Sequence, residues 1–265
     1  MLLSLMIIAQ ISDLHIGTEG VLAYDLFDTA SCVSRCVEHI GRLRPRPDVV
    51  LATGDLVDSG RDEEYKRLRE VLAPLAAPVF LIPGNHDDRG ALCAEFRDHA
   101  YLPSRGGPVS YAVEDYAVRL LALDTLVPGE KGGALDAGQL DWVEAQLAAA
   151  PQRPTLVFLH HPPFRTGFSR MDDIGLKAAS AERLGEIVSR HRQVELVTCG
   201  HLHRGMQTRW RGTTASVCPS AAFQFRLRME PAKLEPATDE PPAYQLHCWN
   251  GTELVTHTVA ASPEG

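Results

Sequence analysis

Asp13-Leu14-His15, Gly54-Asp55, Gly84-Asn85-His86-Asp87, His160-His161 and Gly200-His201-Leu202-His203 are the segments of this sequence equipped to do chemistry. They offer imidazole, carboxylate and carboxamide groups, and no thiolate. Imidazole suits Fe, Mn, Zn or Co, and a carboxylate can bridge two cations and offset their charge, a part that Asp55 is suited to play. A set without cysteine is a poor match for a closed structural zinc site. Two metal ions about 3.5–4 Å apart can activate a water and stabilise the oxygens of an in-line displacement at phosphorus. The candidate ligands are Asp13, His15, Asp55, Asn85, His160, His201 and His203.

Such fragments are common in loops one at a time, so their meaning depends on what positions them. Each follows an apolar run that reads as a strand: residues 5–11, 49–52, 79–82, 155–159 and 195–199. Helical apolar spacing lies between the strands, over residues 33–43, 63–75, 89–99, 137–149 and 181–190. The alternation predicts a sheet flanked by helices. In open α/β sheets ligands bind at the carboxyl ends of the strands, so five strand ends would converge on one crevice. Buried Asp and His without partners would be costly, which favours a metal over chance.

Residues 109–113 and 117–123, separated by Glu114-Asp115-Tyr116, read as a hairpin. From Met206 the pattern is antiparallel, and Asn250-Gly251 joins residues 244–249 to 253–259. Residues 229–242, rich in Pro and Glu, read as an exposed loop. With no repeat and no second core, the expectation is one domain over residues 1–265, closed by antiparallel strands over 206–265.

The chain has 265 residues, 45% apolar and 23% charged, as expected of a folding globular protein. Its net charge of −8 argues against a general nucleic-acid or membrane-surface binder, which needs cationic surface. A small anionic substrate remains compatible if bound metals supply the positive charge. The opening Met1-Leu2-Leu3-Ser4-Leu5-Met6-Ile7-Ile8-Ala9 lacks a basic start and runs into Gln-Ile-Ser-Asp, so it reads as a strand and not a leader. No apolar run reaches the roughly 18 residues of a spanning helix. Cys32, Cys36, Cys93, Cys199, Cys218 and Cys248 are scattered without C-x-x-C spacing and read as reduced thiols of a cytoplasmic protein.

In order and in kind, Asp13-x-His15, Gly54-Asp55, Gly84-Asn85-His86-Asp87, His160-x-Pro162 and Gly200-His201-x-His203 resemble the calcineurin-like metallophosphoesterases. The likeness is greatest to the bacterial class III cyclic-nucleotide phosphodiesterases and glycerophosphodiesterases. It rests on Ile11-Ser12-Asp13-Leu14-His15, residues 54–60, residues 81–88 and His160-His161-Pro162-Pro163, and runs over residues 8–225. The resemblance implies an α/β/β/α sandwich of two mixed sheets and a homo-oligomer, a dimer or larger. It implies one metal on Asp13, His15, His203 and Asp55, and another on Asp55, Asn85, His160 and His201. It further implies hydrolysis of a small phosphodiester by metal-bound hydroxide. His86 would then contact the phosphate or help the leaving alkoxide, with Asp87 orienting its ring. The family pattern and the alternation of side chains both select His160 over His161, which becomes an outer or structural residue.

Other residues carry weaker signals. Asp58 reads as a loop-holding carboxylate, and residues 165–175 could overhang the site with Phe168, Met171 and Asp172. Phe223 and Phe225 read as core. No function is assigned to His39, His99, His191, His247 or His257. The competing readings are a broad phosphomonoesterase on the same ligands and a metal-binding scaffold with little activity; a scaffold has no need of all seven ligands.

Overall fold

The structure is a computed structural model that describes residues 5–104, 106–229 and 233–262. The strands are β1 (Met6–Ile11), β2 (Val49–Thr53), β3 (Val79–Ile82), β4 (Tyr111–Val113), β5 (Arg119–Leu123), β6 (Thr155–Leu159), β7 (Val194–Cys199), β8 (Met206–Trp210), β9 (Thr213–Val217), β10 (Gln224–Phe225), β11 (Pro236–Ala237), β12 (Ala243–Trp249) and β13 (Leu254–Ala260). The helices are α1 (Thr29–Arg42), α2 (Asp62–Leu72), α3 (Arg89–Glu95), α4 (Ala137–Ala149), α5 (Ser169–Asp172) and α6 (Ala178–Arg190).

Two mixed sheets face each other. One has the order β13-β12-β1-β2-β3 and the other β4-β5-β6-β7-β9-β8. In the first, β1, β2 and β3 are parallel while β12 and β13 run antiparallel. In the second, β5, β6 and β7 are parallel. Every residue of β1, β2, β5 and β6 is buried, which is why these strands read as unbroken apolar runs. The helices cover the outer faces, giving the expected α/β/β/α sandwich. Helix α1 shows how: Asp28 caps its start by accepting from Ser31 N at 3.2 Å, and Val33, Cys36, Val37 and Ile40 form its buried stripe.

Polar side chains cross between the buried sheets. Gln10 on β1 donates to Thr53 Oγ1 at 2.9 Å and accepts from Thr198 Oγ1 on β7 at 2.7 Å. His247 Nε2 lies 2.9 Å from the same Gln10 oxygen. These bonds satisfy groups that would otherwise be stranded in the apolar interior. They also fix the sheets against each other just beneath the strand ends.

Several expectations shift. Helix α2 stops at Leu72, with Ala73 still helical in φ and ψ and Pro74 next in line, which has no N–H with which to continue the hydrogen-bond ladder. Helix α3 ends at Glu95, earlier than the apolar spacing predicts. The segment from Met206 is antiparallel in its own pairings, β8–β9, β10–β11 and β12–β13, but β9 joins the second sheet parallel to β7 and separates it from β8. The closing hairpin turns over four residues, with Asn250 Oδ1 accepting from the backbone N–H of Thr252 and Glu253, each at 2.9 Å. The stretch 229–242 contains β11, which pairs with β10, and Ala237 is buried; its residues 230–232 lie outside the described residues, as do Met1 to Ser4 at the opening of the chain. Among the described residues no helix is long and apolar enough to cross a membrane.

Candidate metal centre

The chemically equipped residues stand where the parallel strands of both sheets end. Asp13 and His15 follow β1, Asp55 follows β2, Asn85 follows β3, His160 follows β6, and His201 and His203 follow β7. The chain must turn sharply at each point. Asp13, His15, Asp55, His201 and His203 all take positive φ, between 43° and 73°. That conformation costs an L-residue about 1–2 kcal/mol. Strain of this kind persists only where the surroundings dictate it, and it gathers at functional sites.

The neighbouring glycines are required by close approach. A Cβ on Gly200 would lie 1.9 Å from Ser12 Oγ, and one on Gly84 would lie 2.3 Å from Asp55 Oδ1 and 2.7 Å from His160 Nε2. The carboxylate of Asp13, brought in by this packing, accepts from the backbone N–H of His201 at 2.9 Å and so ties the first sheet's strand ends to the second's.

Two clusters result. Asp13, His15, Asp55 and His203 present ligand atoms that all lie within 4.8 Å of one another, and all four residues are buried. His160 and His201 lie beside them, again buried. Asp55 faces both: its Oδ2 is 3.6 Å from His15 Nε2 and its Oδ1 is 3.3 Å from His160 Nε2. Among the described residues, Asn85 Oδ1, His160 Nε2 and both ring nitrogens of His201 are buried with no hydrogen-bond partner. Unpartnered buried polar atoms at this density are what a cation site leaves when only protein atoms are counted. The donor set therefore fits metal ions.

The rings are aimed from behind, as ligating imidazoles usually are. His160 Nδ1–H donates to Thr53 O at 2.8 Å, and His203 Nδ1–H to Phe223 O at 2.9 Å. His15 Nδ1 lies 3.3 Å from Asp58 Oδ1, so the loop-holding role expected of Asp58 includes fixing a candidate ligand. Burial alone would raise the Asp55 carboxyl, but the His160 ring beside it holds it well below the usual carboxylate range. Burial opposes charge on His160, yet Asp55 and Asp13 bring it up to about 9. Burial outweighs the neighbouring histidines at Asp13, which is pushed up to about 6. Burial, followed by the charge on His160, drives His201 down to about 3.

The remaining candidates divide. His161 offers a ring nitrogen within 4.8 Å of those of His160 and His201, but both of its nitrogens are engaged elsewhere: Thr125 Oγ1–H donates to its Nδ1 at 2.8 Å, and its Nε2–H donates to Lys131 O at 3.1 Å. His86 is 40% exposed in the pocket and donates from Nδ1 to Asp58 O at 2.7 Å. Asp87 does not orient the His86 ring as expected. Its buried carboxylate turns back to accept from the N–H groups of Gly84 (2.7 Å), Leu56 (3.0 Å) and Val57 (3.3 Å) and from Tyr65 Oη (2.9 Å). Burial pushes it up to about 6. In the 165–175 loop, Met171 lines the pocket together with Ile174, whereas Asp172 is occupied with Thr166 and Gly167.

A pocket of about 350 Å³ opens over the cluster. Phe223 and Phe225, expected only as core, form its aromatic wall: each ring centroid is 4.6 Å from that of His203. Tyr24 meets Phe223 edge-on at 5.4 Å. Leu22, Tyr24 and Lys131 line the pocket without having been anticipated, because each is brought in by a loop with no periodic or motif signal.

A family model described as calcineurin-like phosphoesterase matches residues 6–205. The chain is 36% identical over 254 residues to a probable glycerophosphodiester phosphodiesterase of Arcobacter nitrofigilis, covering 96% of this chain and 92% of that one. It is 31% identical to the 3′,5′-cyclic adenosine monophosphate phosphodiesterase of Escherichia coli, covering 96% and 90%. The fold matches that of a dimetal phosphatase from Danio rerio with a TM-score of 0.64 at 15% identity, covering 97% and 99%.

Proposed function

The chain belongs to the calcineurin-like phosphoesterases, and on that premise we propose that it is a metal-dependent phosphodiesterase acting on small diesters such as cyclic nucleotides or glycerophosphodiesters. One observation carries the metal dependence: the unpartnered buried polar atoms of Asn85, His160 and His201 gather beside Asp55, which also faces the cluster of Asp13, His15 and His203. Asp13, His15, His203 and Asp55 would hold one cation, and Asp55, Asn85, His160 and His201 the second. Bound there, two cations supply the positive charge and the water activation that hydrolysis at phosphorus requires.

The protein's own groups do the positioning. The backbone bonds to Thr53 and Phe223 fix the tautomers of His160 and His203, so that each offers Nε2 to the site. Because Nδ1 of His86 is committed to Asp58 O, Nε2 is the nitrogen left to hydrogen-bond a phosphoryl oxygen or pass a proton to the departing alkoxide. The aromatic wall beyond the cluster leaves room for a second ester arm, which supports a diester over a monoester. The relatives named as diesterases support the same choice.

Steady-state hydrolysis of bis(p-nitrophenyl) phosphate and p-nitrophenyl phosphate with Mn²⁺ tests this reading. The expected result is a higher kcat/KM for the diester. A tenfold or greater preference for the monoester would overturn it.

A further inference from the structure

We propose that Lys131 is the residue that reads charge on the substrate's ester arm, and that His161 is the positioning residue that places it. The proposal names a feature of the substrate class for the pocket described above, and so rests on that phosphodiesterase reading.

Among the described residues, Lys131 is the one lysine or arginine lining the pocket, whose other charged side chains there are carboxylates and imidazoles. It is exposed, and among the described residues no carboxylate pairs with it; its neighbour Glu130 is taken by Lys177 at 2.7 Å. An unpaired ammonium at the rim of a pocket for anions attracts a further anionic group more than a neutral one.

The position of Lys131 is built. Its carbonyl accepts from His161 Nε2–H at 3.1 Å, and Thr125 Oγ1–H fills the other His161 nitrogen at 2.8 Å. His161 is buried, with both nitrogens engaged, so its ring acts as a strut between β6 and the loop after β5. The loop closes tightly on that strut: a Cβ on Gly133 would lie 2.3 Å from His161 Nδ1. Gly133 N donates to Gly175 O at 3.1 Å, and Lys177 N donates to Gly133 O at 2.8 Å. The backbone of Lys131 is therefore latched to the loop that carries Met171 and Ile174, on the side of the pocket supplied by the second sheet. Adjacent histidines at the end of one strand thus divide the work: His160 faces Asp55, and His161 holds the loop that presents the ammonium.

The predicted ligand class is a phosphodiester with a second anionic group, a carboxylate or another phosphate, on one arm. The test compares two methylphosphonate monoesters, one with an arm ending in a carboxylate and one in a hydroxyl, by calorimetric titration of the Mn²⁺-loaded protein at low salt. The matching p-nitrophenyl phosphodiesters are assayed in parallel. The wild-type protein should bind the carboxylate arm about fivefold tighter. The ratio should fall to about one in Lys131→Met, persist in Lys131→Arg, fall in Thr125→Val and persist in Thr125→Ser. Equal affinities in the wild type, or a preference that survives Lys131→Met, would overturn the assignment. Carboxylate preference with no hydrolysis of either diester would sink the phosphodiesterase reading and leave Lys131 in place; hydrolysis without preference would do the reverse.

Discussion

His15 and His203 turn their Nε2 atoms toward each other across 3.1 Å, each ring held from behind through Nδ1. With both rings neutral, two lone pairs would face one another, which is repulsive unless a proton or a cation lies between them. In the metal-free protein the proton belongs on His15: burial opposes its charge, but Asp58, Asp55 and Asp13 outweigh burial and raise its pKa. A metal ion resolves the same geometry without a proton.

The metal-free protein should therefore lose stability as the pH rises from neutral. His160 is raised from 6.5 to about 9, so the folded chain keeps a proton that the unfolded chain gives up. Its contribution is fully present below pH 6.5 and is lost as the pH passes 9, a change of about 3 kcal/mol. His15 shifts in the same direction. Above pH 7.5 the buried histidines with lowered pKa values no longer contribute to the pH dependence, so urea unfolding of metal-free protein at pH 7.5, 8.5 and 9.5 should show the midpoint falling; a rising midpoint would contradict the Asp55–His160 pairing. Metal held by these nitrogens would take the place of the protons and should flatten the trend.

Asp87 should matter for folding. Replacing it with alanine strands three backbone N–H groups in the interior and removes one of the bonds of the Tyr65 hydroxyl, at a cost of about 3–5 kcal/mol. Tyr65→Phe removes the hydroxyl's bonds to Asp87 and Asp88 O and leaves the Asp88 N–H without its acceptor, and should cost less, about 2 kcal/mol. Denaturant unfolding measures both, and an Asp87→Ala protein of wild-type stability would show that the carboxylate does not hold these strand ends together.

His86 should matter for turnover. His86→Asn is expected to lower kcat by about 10²-fold or more while metal content stays at the wild-type level. Mass spectrometry of the metals beside steady-state kinetics separates the outcomes: loss of metal would make His86 a ligand, and unchanged kcat would remove it from the reaction.

Much of the centre was legible because metal binding restricts residue types so severely. Asp, Asn and His at five strand ends leave few other readings, and the buried parallel strands that carry them announce themselves as apolar runs. What sequence could not convey is direction. Nothing in Asp13 or His203 signals a left-handed backbone, which packing imposes across the two sheets. Asp87 sits next to His86 in the chain, so a partnership was the natural expectation; the tight turn after β3 sends its carboxylate back to the N–H groups of Leu56 and Val57 instead. The parallel pairing of β9 with β7 was hidden because the local pattern reports only the β8–β9 hairpin. Lys131 was invisible for the same reason, as an ordinary loop lysine placed by contacts with distant residues.

The central claim is that these seven side chains hold two metal ions with Asp55 between them. It is tested most directly by metal content after the metal-free protein is refilled with Mn²⁺ and freed of excess. Two equivalents per chain in the wild type, falling to one or fewer in Asp55→Ala, is the predicted result. A single equivalent in the wild type, or two retained without Asp55, would contradict it.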